Sequence, residues 1–323
     1  MIKPTHIKDN HLNKIVPVSG ISNVKTLLCY DNDKPIIYKS DSIGFDNESN
    51  EKNVDLILIG DSYAAGFCVS KENRFNQQFK KRGIKIANFG MGGNGPLIEF
   101  ASLVEYADIF TYDTIVWLFT PENDYENFER EFQNPILKRY LNYNFRQILL
   151  KKNKEKDQLY YDYFKKKERP FREFLRKYHL DLDFLRIKIK NINYNKKETD
   201  ALSVNYKPQT INSVNIIFQN LKKYAHEKNK NLLIIFNVLH PEILFNNEEI
   251  TLKKNIKKNK VFLKELGINF YDFNEYIYNN YNRSNIDQIM KKRIGNYWDH
   301  YTNNGYSLLT EQITIKIKSI KNK

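Results

Sequence analysis

The amino-acid sequence predicts an α/β protein built on a parallel, doubly wound sheet, and three observations point that way. Short apolar runs of strand length recur along the chain, among them VDLILI at 54–59, TIVWLF at 114–119 and LLIIFNVL at 232–239. They are continuous rather than alternating, as strands buried on both faces read. Stretches with helical spacing of apolar residues separate them, the pattern of parallel strands joined by helical crossovers. Each run also stops at a turn of glycine, small or polar residues, and in an open sheet of this kind ligands lie beyond the carboxyl ends of the strands.

Residues 1–53 form a leader expected to pack on the main domain, which spans 54–323. Within the leader, residues 25–30 and 35–38 flank Asp31-Asn32-Asp33-Lys34 and predict a hairpin with a four-residue loop. The first buried strand, 54–59, runs into Gly60-Asp61-Ser62-Tyr63-Ala64-Ala65-Gly66. Gly60 permits a sharp turn, and the small residues after Ser62 let the backbone pass close to a ligand. Ser70 is placed to cap a helix reaching about Arg82, with Phe75 and Phe79 on one face and Gly83 ending it. A second short strand at 84–88 leads into FGMGGNGP, where Pro96 suits the first turn of a helix carrying Leu97, Ala101 and Val104. The third strand, 114–119, ends at Thr120-Pro121-Glu122-Asn123-Asp124.

From about 125 to 205 the chain changes to charged and aromatic stretches, read as a helical insertion, broken near Pro170, that caps the site. The alternation then resumes with a helix over about 209–228, a fourth strand at 232–239 and a lysine-rich helix ending near Gly267. A fifth strand follows at 268–273, and the chain closes with NYWDHYTNNGY at 296–306 and a final helix carrying Leu309, Ile313 and Ile317. There is no repeat of fixed period.

At 323 residues the chain can bury one large core and still spare an insertion. Its apolar runs are too short to span a membrane, and residues 1–16 are polar, so the chain reads as soluble and cytoplasmic. Two cysteines, Cys29 and Cys68, rule out a disulfide scaffold and any cysteine-rich metal site. Two buried thiols are expected, with a single bridge the alternative in an exported protein. The net charge of +14 invites an anionic partner, but the lysines are spread widely, as a solvated surface has them, so nucleic-acid binding is not favoured.

Four points stand after buried strands: Ser62 after the first, Gly93 after the second, Asn123 after the third and His300 after the fifth. A parallel sheet brings such loops to one edge. A serine hydroxyl becomes a useful nucleophile when a base takes its proton, and a neutral imidazole suits that near pH 7. His300 is the candidate base for Ser62. The oxyanion formed at an ester carbonyl needs donors already in place, and the amides of Ser62 and Gly93 with the side-chain amide of Asn123 would supply three.

At these residues the chain resembles the SGNH hydrolase superfamily, the GDSL-type esterases and acyltransferases. Gly60-Asp61-Ser62 matches its first block, Asn88 to Gly93 (NFGMGG) the second, Asn123-Asp124 the third, and His300 with Gly305 the last. The order and strand context match over roughly 54–124 and 230–320. The leader and the helix after Pro96 look like those of a marine-bacterial branch. The resemblance implies a three-layer α/β/α sandwich with a five-stranded parallel, flavodoxin-like sheet. It implies hydrolysis or transfer of an acyl group, often acetyl from a carbohydrate, with Ser62 as nucleophile, His300 as base, and Gly93 and Asn123 as oxyanion donors. Where the family places an aspartate two or three residues before the histidine, this chain has Trp298 and Tyr297. The imidazole is left to Asp299 beside it, to Asp287 or a carboxylate from the insertion, or to a Ser–His dyad helped by a backbone carbonyl.

Gly90-Met91-Gly92-Gly93-Asn94-Gly95 also reads as GxGxxG, but it follows the second strand, and no acidic residue ends the next strand to hold a ribose. No cofactor is expected, and no spacing of His6, His179, His226 or His240 resembles a metal site. His240 reads as a structural turn residue, Asp61 and Asp124 as anchors of their own turns, and Trp117 as core. Three functions remain: a serine esterase on an acyl glycan or small ester, an O-acyltransferase using the same residues, and a glycan-binding module that has lost turnover.

Overall fold

The computed structural model describes residues 15–31, 34–47, 51–167, 206–246, 248, 250–292 and 298–321. The predicted break near Pro170, the second half of the insertion, and Tyr297, His6 and His179 lie outside them.

Strands β3 (Leu56–Gly60), β4 (Ile86–Asn88), β5 (Thr114–Phe119), β6 (Asn231–Phe236) and β7 (Asn269–Asp272) form one parallel sheet in the order β4-β3-β5-β6-β7. This is the flavodoxin-like order, with the reversal of winding at the first of these strands. Every residue of β3 and β5 is buried, so both faces of the sheet are covered. Helices α1 (Phe75–Lys80), α2 (Pro96–Tyr106), α3 (Pro121–Phe132), α4 (Asn153–Lys167), α5 (Pro208–Glu227), α6 (Thr251–Glu265), α7 (Phe273–Asn280) and α8 (Asn303–Lys321) complete the flanking layers. Helices α2, α3 and α5 pack on one another, and α1 packs on α8. Pro96 opens α2 as expected, because its missing N–H falls where a helix has no partner for one.

The differences from expectation are local. The helix expected from Ser70 begins at Phe75, after a short 3-10 turn at Lys71–Asn73, and Gly83 follows it at φ +72°. The leader hairpin pairs Asp31 with Lys34, so its connection is two residues rather than four. Strands β1 (Lys25–Asp31) and β2 (Lys34–Lys39) make it. Asn123 lies in the first turn of α3 instead of a loop, since Pro121 at that helix's start already fits an N-terminus. His300 is separated from β7 by α7 and sits in a second hairpin, β8 (Met290–Lys292) with β9 (Trp298–Tyr301).

The leader shares the main core: Ile15, Val16, Val18, Ile43 and Phe45 are buried with the sheet residues. Lys156 of α4 is fully buried and donates to Gly20 O at 2.6 Å, Ser19 Oγ at 3.1 Å and Ile43 O at 3.2 Å. Tyr160, one turn on, donates to Ser19 O at 2.8 Å. These bonds satisfy a charge that would otherwise be expensive to bury, and they fasten α4 to the leader. Cys29 and Cys68, expected as thiols, form a disulfide with Cα atoms 5.7 Å apart. It joins β1 to the loop that follows the first sheet strand. Among the described residues no helix is long and apolar enough to cross a membrane.

Candidate active site

Ser62 follows β3 at the point where the sheet reverses its winding. Gly60, paired with Leu118, admits no side chain: a Cβ there would lie 2.8 Å from the Ala64 methyl and 2.9 Å from Leu118 O. The turn folds back tightly, with Ala65 N donating to Asp61 O at 3.0 Å and Phe67 N to Ser62 O at 3.0 Å. The neighbouring loop approaches at Gly90, where a Cβ would stand 2.5 Å from Ala65 N. Asn88 stitches the two loops, accepting from Gly90 N and donating to Ala64 O, both at 2.8 Å.

The imidazole of His300 reaches this turn from β9. Its Nε2 is 2.7 Å from Ser62 Oγ, a hydrogen bond across 238 positions of sequence. Tyr63 and Phe67 flank the ring at 4.5 and 5.1 Å between centroids. The hairpin bearing His300 is seated by Gly305, at which a Cβ would fall 2.2 Å from Ile289 O. Thr302 Oγ1 caps the start of α8 by accepting from Gly305 N at 3.1 Å. Tyr306, one residue on, donates to Tyr63 O at 3.1 Å, tying the final helix to the Ser62 turn.

Asn123 is aimed by a contact that no local pattern announces. Asp61 is fully buried; its Oδ1 accepts from Tyr63 N at 2.9 Å and its Oδ2 from Asn123 Nδ2 at 2.8 Å. Asp61 therefore anchors its own turn, as expected, and also links the β3 loop to α3. Burial raises its pKa, against the bonds from Asn123 and Tyr63 and the nearby His300. Asp124 likewise anchors its turn, accepting from Thr120 N at 2.6 Å. Gly93 has φ +80°, a left-handed conformation suited to glycine. Asp287 is exposed on the 3-10 turn Ile286–Gln288, and Asp299 lies next to His300 in β9.

Behind the site lies a set of buried carboxyl groups. Glu99 accepts from Trp117 Nε1 at 2.6 Å, and Glu131 accepts from Gly95 N at 2.6 Å and Leu97 N at 3.0 Å. Among the described residues, Glu99 Oε1, Asp124 Oδ1 and Asn123 Oδ1 have no hydrogen-bond partner. Burial, together with mutual repulsion and the charge of Asp61, holds Glu99 and Asp124 well above the usual carboxylate range. Burial pushes Glu131 up to about 8, although three backbone amides and Arg130 pull the other way. The sequence signal was a glutamate in each of two helices, at positions that face the core.

A carboxyl whose folded pKa stands above its unfolded value favours the fold while protonated. That contribution is complete below about pH 4.3 and is lost as the pH climbs. For Glu131 the loss runs up through about 8. The thermal midpoint, followed by circular dichroism, is therefore expected to fall between about pH 5 and about pH 8, and less steeply in Glu131→Gln. Equal slopes in the two proteins would remove Glu131 as the source.

His240 is a structural turn residue: its Nδ1 accepts from Glu242 N at 3.3 Å at the start of the one-turn helix Pro241–Leu244. Among the described residues no group of three or more His, Cys, Asp or Glu side chains is arranged to hold a metal ion.

No protein-family profile matches the chain, and no curated protein matches it. Solved structures do. A lipolytic protein of the G-D-S-L family from Desulfitobacterium hafniense is 11% identical over 81% of this chain and 97% of its own, with a TM-score of 0.41. A lipase/acylhydrolase from Enterococcus faecalis is 14% identical over 82% and 96%, at 0.42. An acylhydrolase from Bacteroides fragilis is 11% identical over 86% and 91%, at 0.42.

Proposed function

We propose that the chain is a serine esterase of the SGNH type, and the observation that carries this reading is the 2.7 Å bond between Ser62 Oγ and His300 Nε2 at the carboxyl edge of the sheet. His300 takes the Ser62 proton as Oγ attacks the ester carbonyl. The oxyanion of the tetrahedral intermediate is held by the amides of Ser62 and Gly93 and by Asn123 Nδ2, which Asp61 orients. Collapse releases the alcohol, protonated by His300, and leaves the acyl group on Ser62. Water, deprotonated by His300, then attacks that acyl ester, giving the carboxylic acid and free Ser62. The substrate is an acyl ester of a small molecule or a glycan, and the leaving group is its alcohol.

Covalent trapping tests this. A small fluorophosphonate should add its phosphonyl mass to wild-type protein at Ser62, located by peptide mass spectrometry, and should leave Ser62→Ala unmodified. Labelling that persists in Ser62→Ala would place the nucleophile elsewhere.

A further inference from the structure

An open pocket of about 190 Å³ lies between the leader hairpin, helix α4 and the two loops that carry Ser62 and Gly93. Its walls are apolar. Val24 and Leu28 come from the leader, Phe67 from the nucleophile loop, Met91 from the loop before Gly93, and Tyr160 and Phe164 from α4. Phe67 belongs to both places, since its ring bounds the pocket and stands 5.1 Å from the His300 ring.

The walls are tied to one another by bonds. The Cys29–Cys68 disulfide joins the neighbours of Leu28 and Phe67, two wall residues from opposite sides. Lys156 and Tyr160 fix α4 to the leader through Gly20 O and Ser19 O. A preformed apolar hollow beside a polar reacting centre is how proteins bind an apolar group and orient its reactive end.

We infer that this pocket binds an apolar acyl chain of the ester cleaved at Ser62, so that the preferred substrates are esters of medium-chain fatty or aryl-alkyl acids. The inference rests on the serine esterase reading above. Ala65 and Phe67 of the Ser62 loop and Met91 of the Gly93 loop line the pocket, so a chain seated there ends beside the two loops. The acetyl group expected from the family resemblance has a single methyl and leaves this surface uncovered.

The test is kcat/KM for p-nitrophenyl acetate, butyrate, hexanoate and octanoate with wild type, Thr26→Trp, Val24→Trp, Ile37→Trp and Ser62→Ala. Circular dichroism confirms that each variant folds. Each methylene moved from water into the pocket favours the transition state by up to about fourfold. The hexanoate-to-acetate ratio is therefore expected to reach at least about tenfold in wild type. Thr26 and Val24 border the pocket, and tryptophan at either is expected to cut that ratio by at least about tenfold. Ile37 is 51% exposed on β2 and does not border the pocket, so tryptophan there should keep the wild-type ratio. A flat or falling series in wild type, with activity still lost in Ser62→Ala, overturns the acyl pocket and leaves the serine mechanism standing. Equal rates for wild type and Ser62→Ala on every ester remove the mechanism, and the pocket's role goes with it.

Discussion

Replacing Ser62 with alanine is expected to lower kcat for p-nitrophenyl acetate by about 10⁴-fold or more, and His300→Ala should fall nearly as far. In the proposed mechanism the two groups act as one unit. Oγ is a weak nucleophile without the imidazole 2.7 Å away, and the imidazole has no proton to take without Oγ. Losses of this kind do not add, so the double variant should be no slower than the worse single one. Initial rates, corrected for uncatalysed hydrolysis and accompanied by circular dichroism of each protein, decide the matter. Rates in Ser62→Ala that match wild type would end the nucleophile assignment, and a wild-type rate in His300→Ala would end that of the base.

The second large effect is expected at Asp61. Removing one oxyanion donor costs about 10²- to 10³-fold in kcat, and in the proposed mechanism Asp61 orients one through Asn123. The amide of Asn123 has its Nδ2 on Asp61 and, among the described residues, no partner for its Oδ1. Among the described residues it is Asp61 that specifies which end of that amide points where. Asp61→Ala and Asn123→Ala should each lower kcat by about 10²-fold, leave KM within a few-fold, and combine without further loss. Asp61→Asn separates aim from mere folding. Asparagine keeps the shape, but one acceptor becomes a donor, which must then face either Asn123 Nδ2 or Tyr63 N, itself a donor. A wild-type kcat in Asp61→Asn would leave Asp61 with no part in orienting Asn123.

The central strands were legible because burial on both faces removes the need for alternation, and β3 and β5 are apolar from end to end. Pro96 marked a helix start from local chemistry alone, and Pro121 carried the same mark ahead of Asn123. The hairpin holding His300 was not legible. Its strands are three and four residues long, too short for a period, and the close approach of Gly305 to Ile289 beside them is not written in any local pattern. The Asp61–Asn123 bond spans 62 positions and joins two residues that each look locally sufficient, one as a turn anchor and the other as a helix residue. The disulfide was equally hidden, since two cysteines 39 apart reveal nothing of whether the fold brings them together. Glu99 and Glu131 could be seen in the sequence, but their protonation depends on how deeply the helices bury them.

The bridge between Cys29 and Cys68 also changes what kind of object carries Ser62. Covalently Ser62 sits inside a closed ring, with the rest of the chain leaving it in two directions. Cutting one peptide bond anywhere from 29 to 68 opens that ring without dividing the molecule. The segment holding Gly93, Asn123 and His300 remains attached to the leader through sulfur, whichever side of Ser62 the cut falls on. A nicked chain would run as one band without reductant and as two with it.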